Sequence, residues 1–95
     1  MIVSTILFKL KEKSDENFSL VEEKLMSMKG KIAQLKDIKV NANLRNSPAD
    51  FDMIMIAEYE SLKDFDEYAA HPVHVEVGKF VLNLCEQTAS VLYTK

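Results

Sequence analysis

The proline at position 72 constrains this chain more than any other single residue, because the sequence on both sides of it has a helical pattern. Proline has no backbone N–H and pushes the preceding residue out of the helical region, so a helix that reaches Ala70 has to end at His71. Proline is also favoured at the first position of a helix, which predicts that a second helix begins at Pro72. The stretch from Tyr68 to His74 is therefore predicted to form a corner between two helices.

This corner carries both histidines of the chain and a tyrosine. His71 is expected near a helix N-terminus, where a side chain accepts hydrogen bonds from free backbone N–H groups, and His74 about one turn further on. Tyr68 lies on the last turn of the preceding helix, so the spacing predicts that Tyr68 and His74 converge on one pocket. A phenol and an imidazole that face one cavity form an acid/base pair, which makes them the candidate catalytic residues.

Each of these residues also has a purely structural interpretation. His74 would then be a helix histidine bonded to a backbone group or a carboxylate, Tyr68 a core tyrosine with an anchored hydroxyl, and His71 a brace for the corner. The histidine spacing also raises a metal interpretation, but no cysteine or carboxylate completes a ligand set, so no metal site is predicted. Cys85 and the five methionines are interpreted as core residues.

Hydrophobic periodicity predicts four strands. The first, at residues 2–10, is apolar on both faces, and the third, at 51–60, is apolar on both faces in its middle. The second, at 38–44, alternates strictly, with Ala42 and Leu44 on its buried face, and the last covers 88–94. Residues 46–50 are predicted to form the turn between the second and third strands.

Capping signals place the helices between these strands. Ser14 is a good N-cap for a helix through residue 28, which Gly30 would end. Ser61 starts a short helix that carries Tyr68, and a further helix is predicted from Pro72 to about residue 86. The order β-α-β-β-α-(α)-β is the ferredoxin-like split βαβ pattern of the α+β class, with a four-stranded antiparallel sheet and helices on one face.

The length of the chain bounds its organisation. With 95 residues it is predicted to form a single domain over 1–95, and a monomer of this size buries only about two-thirds of its unfolded surface. The apolar second face of the first and third strands needs a cover, which predicts a homodimer. A net charge of -3 gives no electrostatic footprint for a nucleic-acid partner.

The sequence also indicates a cytoplasmic protein with no membrane partner. No apolar run approaches the roughly 20 residues of a membrane span. The apolar start at 1–10 lacks the basic leader of a signal peptide and is interpreted as a strand. One cysteine excludes an intrachain disulfide and fits a reducing compartment.

With Phe65 before it and Val77 and Phe80 after it, the stretch from Tyr68 to His74 resembles the Y..HP.H signature of the stress-responsive A/B barrel family. The resemblance covers nearly the whole chain, including the opening residues 2–11. It implies a dimeric α/β barrel, in which two ferredoxin-like sheets meet face to face and each subunit keeps a pocket between sheet and helices.

The resemblance also implies roles for individual residues. A plant polyketide cyclase of this family uses a tyrosine and the second histidine of the signature in an aldol condensation without a cofactor, and these positions match Tyr68 and His74. Ser4 and Leu92 depart from the pattern, since relatives carry a histidine and an aspartate there. Many relatives are uncharacterised. The remaining expected pocket-lining residues are Ser4, Ile6, Phe8, His71, Val77 and Phe80.

Three functions remain open on the sequence. The first is a binding or stress-associated protein whose pocket holds a small apolar or aromatic carbonyl compound. The second is a cyclase-like, cofactor-independent enzyme that transfers a proton through His74 with Tyr68 as donor. The third is a purely structural, self-associating domain, which a space packed solid by Phe8, Met55 and Phe80 would favour.

Overall fold

The computed structural model describes residues 1–45 and 47–95, and these form four strands and three helices. In chain order they are β1 (Ile2–Leu10), α1 (Asp15–Met26), β2 (Asp37–Ala42), β3 (Met53–Tyr59), α2 (Leu62–Ala70), α3 (Pro72–Leu84) and β4 (Cys85–Thr94). The strands form one antiparallel sheet in the order β2-β3-β1-β4. Both the order along the chain and the order in the sheet are those of the ferredoxin-like α+β fold, which confirms the predicted fold class.

The predicted caps begin the first two helices. The side chain of Ser14 accepts a hydrogen bond from the backbone N–H of Asn17, and that of Ser61 accepts one from Asp64, each at 3.1 Å. α1 ends at Met26, two residues before the predicted end, and turns carry the chain to Gly30, whose φ of 85° lies in the left-handed region. Within the described residues, no helix is long and apolar enough to cross a membrane.

One face of the sheet packs against the helices. Alternate residues of β1 and β3, such as Phe8 and Met55, point to this side and meet Leu25 of α1 and Val81 of α3 in one hydrophobic core. We call the opposite side of the sheet the outer face. Its apolar and small residues come from three strands, β1, β3 and β4, and are Val3, Thr5, Leu7, Ile54, Ile56, Ala89, Val91 and Tyr93.

The prediction that β2 continues to Leu44 with a buried face was wrong. The strand ends at Ala42, which is itself exposed, and Leu44 is fully solvent-exposed. Directly after the strand, the side-chain oxygen of Asn43 accepts the backbone N–H of Arg45 at 2.9 Å, and this Asx turn replaces the extended backbone that a longer strand would need. Of the predicted turn at 46–50, Asn46 lies outside the described residues, while Asp50 donates its N–H to the carbonyl of Ser47 at 3.0 Å.

The junction between α3 and β4 also lies earlier than predicted. α3 ends at Leu84, and β4 begins at once with Cys85, because Cys85 pairs with Leu10 of β1. The register shifts between Lys9 and Leu10, so the ladder is irregular at this end of the sheet.

The side chain of Asp52 supplies a hydrogen-bond acceptor at this irregular end of the sheet. Its carboxylate is buried and accepts the backbone N–H of Leu10 at 2.8 Å, and Lys13 lies 3.5 Å from its other oxygen. A buried N–H without an acceptor is costly, so the side chain of Asp52 closes the end of β1 in place of a neighbouring strand.

We expect Asp52→Ala to lower the free energy of unfolding by about 1–3 kcal/mol, because the buried N–H of Leu10 loses its acceptor. Asp52→Asn is the matched control, since its amide oxygen still accepts from Leu10 and only the ion pair with Lys13 is lost. Urea unfolding of the two variants measures the difference. Equal losses in both would contradict the assignment of the effect to this hydrogen bond.

Candidate functional site

The corner between α2 and α3 is built by His71 and Pro72. His71 has extended backbone angles, with φ -66° and ψ 135°, and Pro72 occupies the first turn of α3 as its fixed φ favours. The Nδ1 atom of His71 accepts the backbone N–H of Val73 at 3.1 Å, so the imidazole is the N-cap of α3. His71 therefore braces the corner, in agreement with the structural interpretation of this residue.

Across this corner Tyr68 and His74 lie in contact. Their ring centroids are 4.4 Å apart and the rings are tilted by 44°. His74 Nδ1 is 2.9 Å from the carbonyl oxygen of Ala69. A carbonyl has no proton to donate, so Nδ1 carries the proton in this contact, and in the neutral imidazole the other nitrogen, Nε2, has the lone pair. The bond orients the imidazole as a proton acceptor.

Two cavities between the sheet and the helices share the Tyr68/His74 pair in their walls. The first has a volume of about 190 Å³, and the second about 210 Å³. Residues common to both are Ile6, Met55, Tyr68, His74 and Ser90. The first cavity extends among apolar side chains of α1 and α3, including Leu25, Val77 and Val81. The second extends towards Ser4, Tyr59, Phe65, Val91 and Leu92.

The hydroxyl of Tyr68 is weakly held. The residue is only 2% exposed, and its hydroxyl donates to Met28 Sδ at 3.7 Å, a weak sulfur acceptor. Burial raises the pKa of Tyr68 above its ordinary value, and the interaction with the neighbouring Tyr59 phenol lowers it in part. Tyr68 therefore combines a core ring with a hydroxyl that a stronger acceptor would recruit.

Tyr59 forms the other side of this aromatic cluster. Its ring centroid lies 4.8 Å from that of Tyr68 and 5.1 Å from that of Phe65. Burial raises the pKa of Tyr59 far above its ordinary value, and the Tyr68 phenol raises it further. Both phenols are therefore kept neutral by the fold.

We expect the protein to lose stability as the pH rises above about 10. The unfolded phenols of Tyr59 and Tyr68 ionise near 10.0, but the folded state keeps them protonated, so it then binds more protons than the unfolded state and the free energy of unfolding falls. This stability is complete below the unfolded pKa, and each phenol removes about 1.4 kcal/mol per pH unit above it. Urea unfolding from about pH 8 to 11 should show a shallower decline for Tyr59→Phe than for the natural chain. Identical slopes for Tyr59→Phe and the natural chain would contradict this prediction.

The predicted site residues separate into two groups. Ser4, Ile6, Phe8 and Val77 lie in the walls of one or both cavities, together with the candidate pair Tyr68 and His74. His71 and Phe80 are not among the described residues that line these two cavities. Phe80 is 37% exposed, and the ammonium of Lys24 lies 4.8 Å from the centre of its ring.

Sequence reasoning missed Tyr59 and Gly78 as wall residues. Tyr59 shares the period-two face of β3 with Met55, so the alternation could have placed it beside the pocket. Gly78 interrupts the helical pattern of α3, and a glycine inside a helix is itself a signal, because it costs about 1 kcal/mol relative to alanine. A Cβ at Gly78 would meet nothing within 4 Å, so no packing contact of the described residues requires a glycine there.

The described residues offer neither a metal cluster nor a reactive thiol. Within 1–45 and 47–95 no three side chains of histidine, cysteine or acidic type lie together as metal ligands. Cys85 is buried in the core, and burial raises the pKa of its thiol, with the charge of Asp52 raising it further. The polar groups available to a molecule in the cavities are therefore hydroxyls and the imidazole of His74.

Fold and site together define a ferredoxin-like α+β domain with an apolar, two-part cavity between its sheet and helices. The family model of the Stress responsive A/B Barrel Domain matches residues 2–94. The chain therefore belongs to the stress-responsive A/B barrel domain family, which confirms the resemblance found in the sequence.

Solved structures share the fold over nearly the whole chain. A dimeric protein of unknown function and ferredoxin-like fold from Bacteroides fragilis is 27% identical, with a TM-score of 0.79 over 99% of this chain and 95% of that chain. The hydroxynitrile lyase from Passiflora edulis is 20% identical, with a TM-score of 0.81 over 97% and 91%. SnoaB, a cofactor-independent oxygenase from Streptomyces nogalater, is 15% identical, with a TM-score of 0.76 over 99% and 91%. No curated protein matches the chain.

Proposed function

We propose that this protein binds a small apolar or aromatic carbonyl compound in the cavities between its sheet and helices. The observation that carries the proposal is the Tyr68/His74 pair, a phenol and an imidazole in contact on the wall that both cavities share. Apolar walls with a few convergent polar groups are typical of sites for small molecules. The Tyr68 hydroxyl, held only by a sulfur atom, is the donor that a carbonyl oxygen would accept from.

The volume of the first cavity limits the size of the ligand. At about 190 Å³ it is smaller than the roughly 300–1,000 Å³ of typical ligand pockets. It is similar to a buried apolar cavity of about 150 Å³ that holds benzene in another protein. We therefore expect this cavity to take one aromatic ring or a short alkyl chain, with the carbonyl group at Tyr68 and His74.

The glycine at position 78 is a second observation in favour of a cavity that is kept open for a ligand. Alanine at this position would favour the helix by about 1 kcal/mol, and the structure has room for its methyl group. A longer side chain at Gly78 would enter the space beside Val77 and Val81. Glycine leaves this space free although other residues would favour the helix more, and such local conflicts are typical of functional sites.

The contact between His74 and Ala69 favours a second function, proton transfer without a cofactor. With Nδ1 donating to Ala69, the lone pair of Nε2 can remove a proton from the carbon next to a bound carbonyl group. The electron pair then moves to the carbonyl oxygen, where the Tyr68 hydroxyl stabilises the enolate. The Passiflora edulis and Streptomyces nogalater proteins, a lyase and a cofactor-independent oxygenase, show that this fold supports enzymes.

We further propose that the chain forms a homodimer through its outer face. Val91 and Tyr93 are 63% and 47% exposed there, beside the partly buried Leu7, Ile54 and Ile56. An apolar sheet face of this kind is a protein-interaction surface. The Bacteroides fragilis relative is described as dimeric. Self-association alone, as in the purely structural alternative, leaves the open cavities and the contact of Tyr68 with His74 without a purpose.

Phenylacetone tests the binding proposal, because it joins one aromatic ring to a ketone. The chain has no tryptophan and three tyrosines, so intrinsic tyrosine fluorescence reports binding. We expect the ketone to bind and its reduced alcohol to bind more weakly. Tyr68→Phe should weaken ketone binding about fivefold, the value of a net hydrogen bond of ~1 kcal/mol.

Gly78→Leu is the control that separates the cavity from the rest of the surface. Its side chain should fill the first cavity and abolish phenylacetone binding, while the helix gains stability. Binding that survives Gly78→Leu unchanged would place the ketone elsewhere and overturn the proposal.

A further inference from the structure

The hydroxyl of Tyr59 is the one buried side-chain polar atom of the described residues that has no hydrogen-bond partner. Tyr59 is 0% exposed, so bulk solvent does not reach this hydroxyl. Buried polar groups nearly always have a partner, and a group without one calls for an explanation. Phenylalanine has the same shape and no donor to leave unpaired, so it would suit a purely structural position better. The hydroxyl therefore indicates a partner that comes from outside the chain.

The surroundings of Tyr59 indicate where that partner would lie. Tyr59 is in the wall of the second cavity, which has a volume of about 210 Å³, and it is not among the described residues that line the first. Its ring packs against those of Phe65 and Tyr68, with centroid distances of 5.1 Å and 4.8 Å. These two neighbours fix the ring at the cavity wall. A molecule in the second cavity is therefore the partner that the fold allows.

The second cavity also differs from the first in the hydroxyl groups that only one of them contains. Beyond the wall that the two share, the second cavity adds Ser4 and Tyr59, which are 5% and 0% exposed. The first adds Thr88, an exposed residue of β4, beside apolar side chains such as Val77 and Val81. The second cavity is therefore the one whose own wall has buried hydroxyl groups.

We propose that the second cavity is a subsite for a second oxygen atom of the ligand, and that the Tyr59 hydroxyl donates a hydrogen bond to this oxygen. The inference rests on the proposed binding of a carbonyl compound and narrows its class to α-oxygenated ketones. The ketone group lies at Tyr68 and His74, on the wall shared by both cavities. Because the rings of Tyr59 and Tyr68 are in contact, the second oxygen belongs one carbon atom away from the ketone carbon.

The unpaired state of the Tyr59 hydroxyl makes this contact favourable for binding. A ligand usually has to displace water or a protein group from a donor before it forms its own hydrogen bond, and this exchange cancels most of the gain. The Tyr59 donor is already removed from bulk solvent and has no partner among the described residues to give up. An acceptor oxygen at this position should therefore improve binding about tenfold relative to a methylene group.

Two ketones that differ at a single position test the subsite. Benzyl methoxymethyl ketone has an ether oxygen where benzyl propyl ketone has a methylene group, and both retain the aromatic ring and ketone of phenylacetone. Isothermal titration calorimetry gives the ratio of their dissociation constants. We expect Tyr59→Phe to shift this ratio about tenfold in favour of benzyl propyl ketone. A ratio that is the same in Tyr59→Phe and the natural chain would overturn the proposal.

Tyr68→Phe is the matched control, because it removes a phenol hydroxyl from the same aromatic cluster. It should weaken the binding of both ketones about fivefold, since both lose the donor to their ketone oxygen, and leave the ratio unchanged. A shift of the ratio equal to that in Tyr59→Phe would assign the ether oxygen to Tyr68 and contradict the subsite.

The stability of Tyr59→Phe without a ligand checks the premise. The substitution removes a hydroxyl that has no partner among the described residues, so its urea midpoint at neutral pH should equal or exceed that of the natural chain. A lower midpoint would show that the hydroxyl is already bonded within the protein, which would overturn the proposal.

Benzyl propyl ketone separates this inference from the proposed function. Natural protein that binds neither ketone would reject the binding of carbonyl compounds and the subsite with it. Natural protein that binds benzyl propyl ketone, with a ratio insensitive to Tyr59→Phe, would reject the subsite alone.

Discussion

Replacing His74 with alanine is expected to slow the exchange of the α-protons of phenylacetone by about 10²–10⁴-fold, the usual contribution of a positioned general base. The physical reason is that His74 is the proposed base and lines the wall that the two cavities share. Its Nδ1 is held by the Ala69 carbonyl at 2.9 Å, which directs proton uptake to Nε2. Proton NMR in heavy water measures the loss of the α-proton signal directly.

The chain provides its own control for this experiment. His71 is the only other histidine, and its Nδ1 caps α3 instead of lining the described cavities. His71→Ala should cost about 1 kcal/mol of stability as a lost cap and leave most of the exchange rate intact. Equal rates for His74→Ala and the natural protein would reject His74 as the base, while leaving the binding proposal to its own test.

The second large effect is expected at the outer face, where Val91→Asp should convert the proposed homodimer into a monomer. A symmetric dimer would bury two new carboxylates, one from each chain, and burying an uncompensated charge costs several kcal/mol. Each 1.4 kcal/mol is a factor of ten in the dissociation constant, so we expect a weakening of more than about 100-fold. Sedimentation velocity over a range of concentrations measures it.

Val75→Asp is the matched control, because it makes the same change at a similarly exposed valine of α3. Val75 is 42% exposed, against 63% for Val91, but it lies on the helical layer and not on the outer face. We expect the Val75→Asp protein to keep the natural mass in solution. If both variants, or neither, changed the association state, the outer face would not be the dimer surface.

The local signals of the sequence account for the elements of the fold. Pro72 dictates a break between two helices because it lacks an N–H, and His71 caps the second helix as its position predicts. Ser14 and Ser61 mark helix starts by the same local chemistry of free backbone N–H groups. Each of these features depends on residues a few positions apart, so the sequence alone could predict them.

Predictions about the ends of the strands were less accurate, since they depend on partners distant in the chain. The alternation through Leu44 continues past the point where β2 ends and the side chain of Asn43 forms an Asx turn. β4 starts at Cys85 only because Leu10 of β1 is there to pair with it. Periodicity records which face a residue would occupy but not whether a neighbouring strand is present.

Sequence alone therefore determined the order of the elements, the corner at Pro72 and the face of each strand that meets the helices. Only the tertiary structure decided that Tyr59 contacts Tyr68, that the space between helices and sheet stays open, and that His74 donates to Ala69. Capping and periodicity arise from short-range backbone chemistry, whereas a cavity is the volume left when side chains from several elements have packed together. That volume is a property of all of them at once, and no single stretch of the chain encodes it.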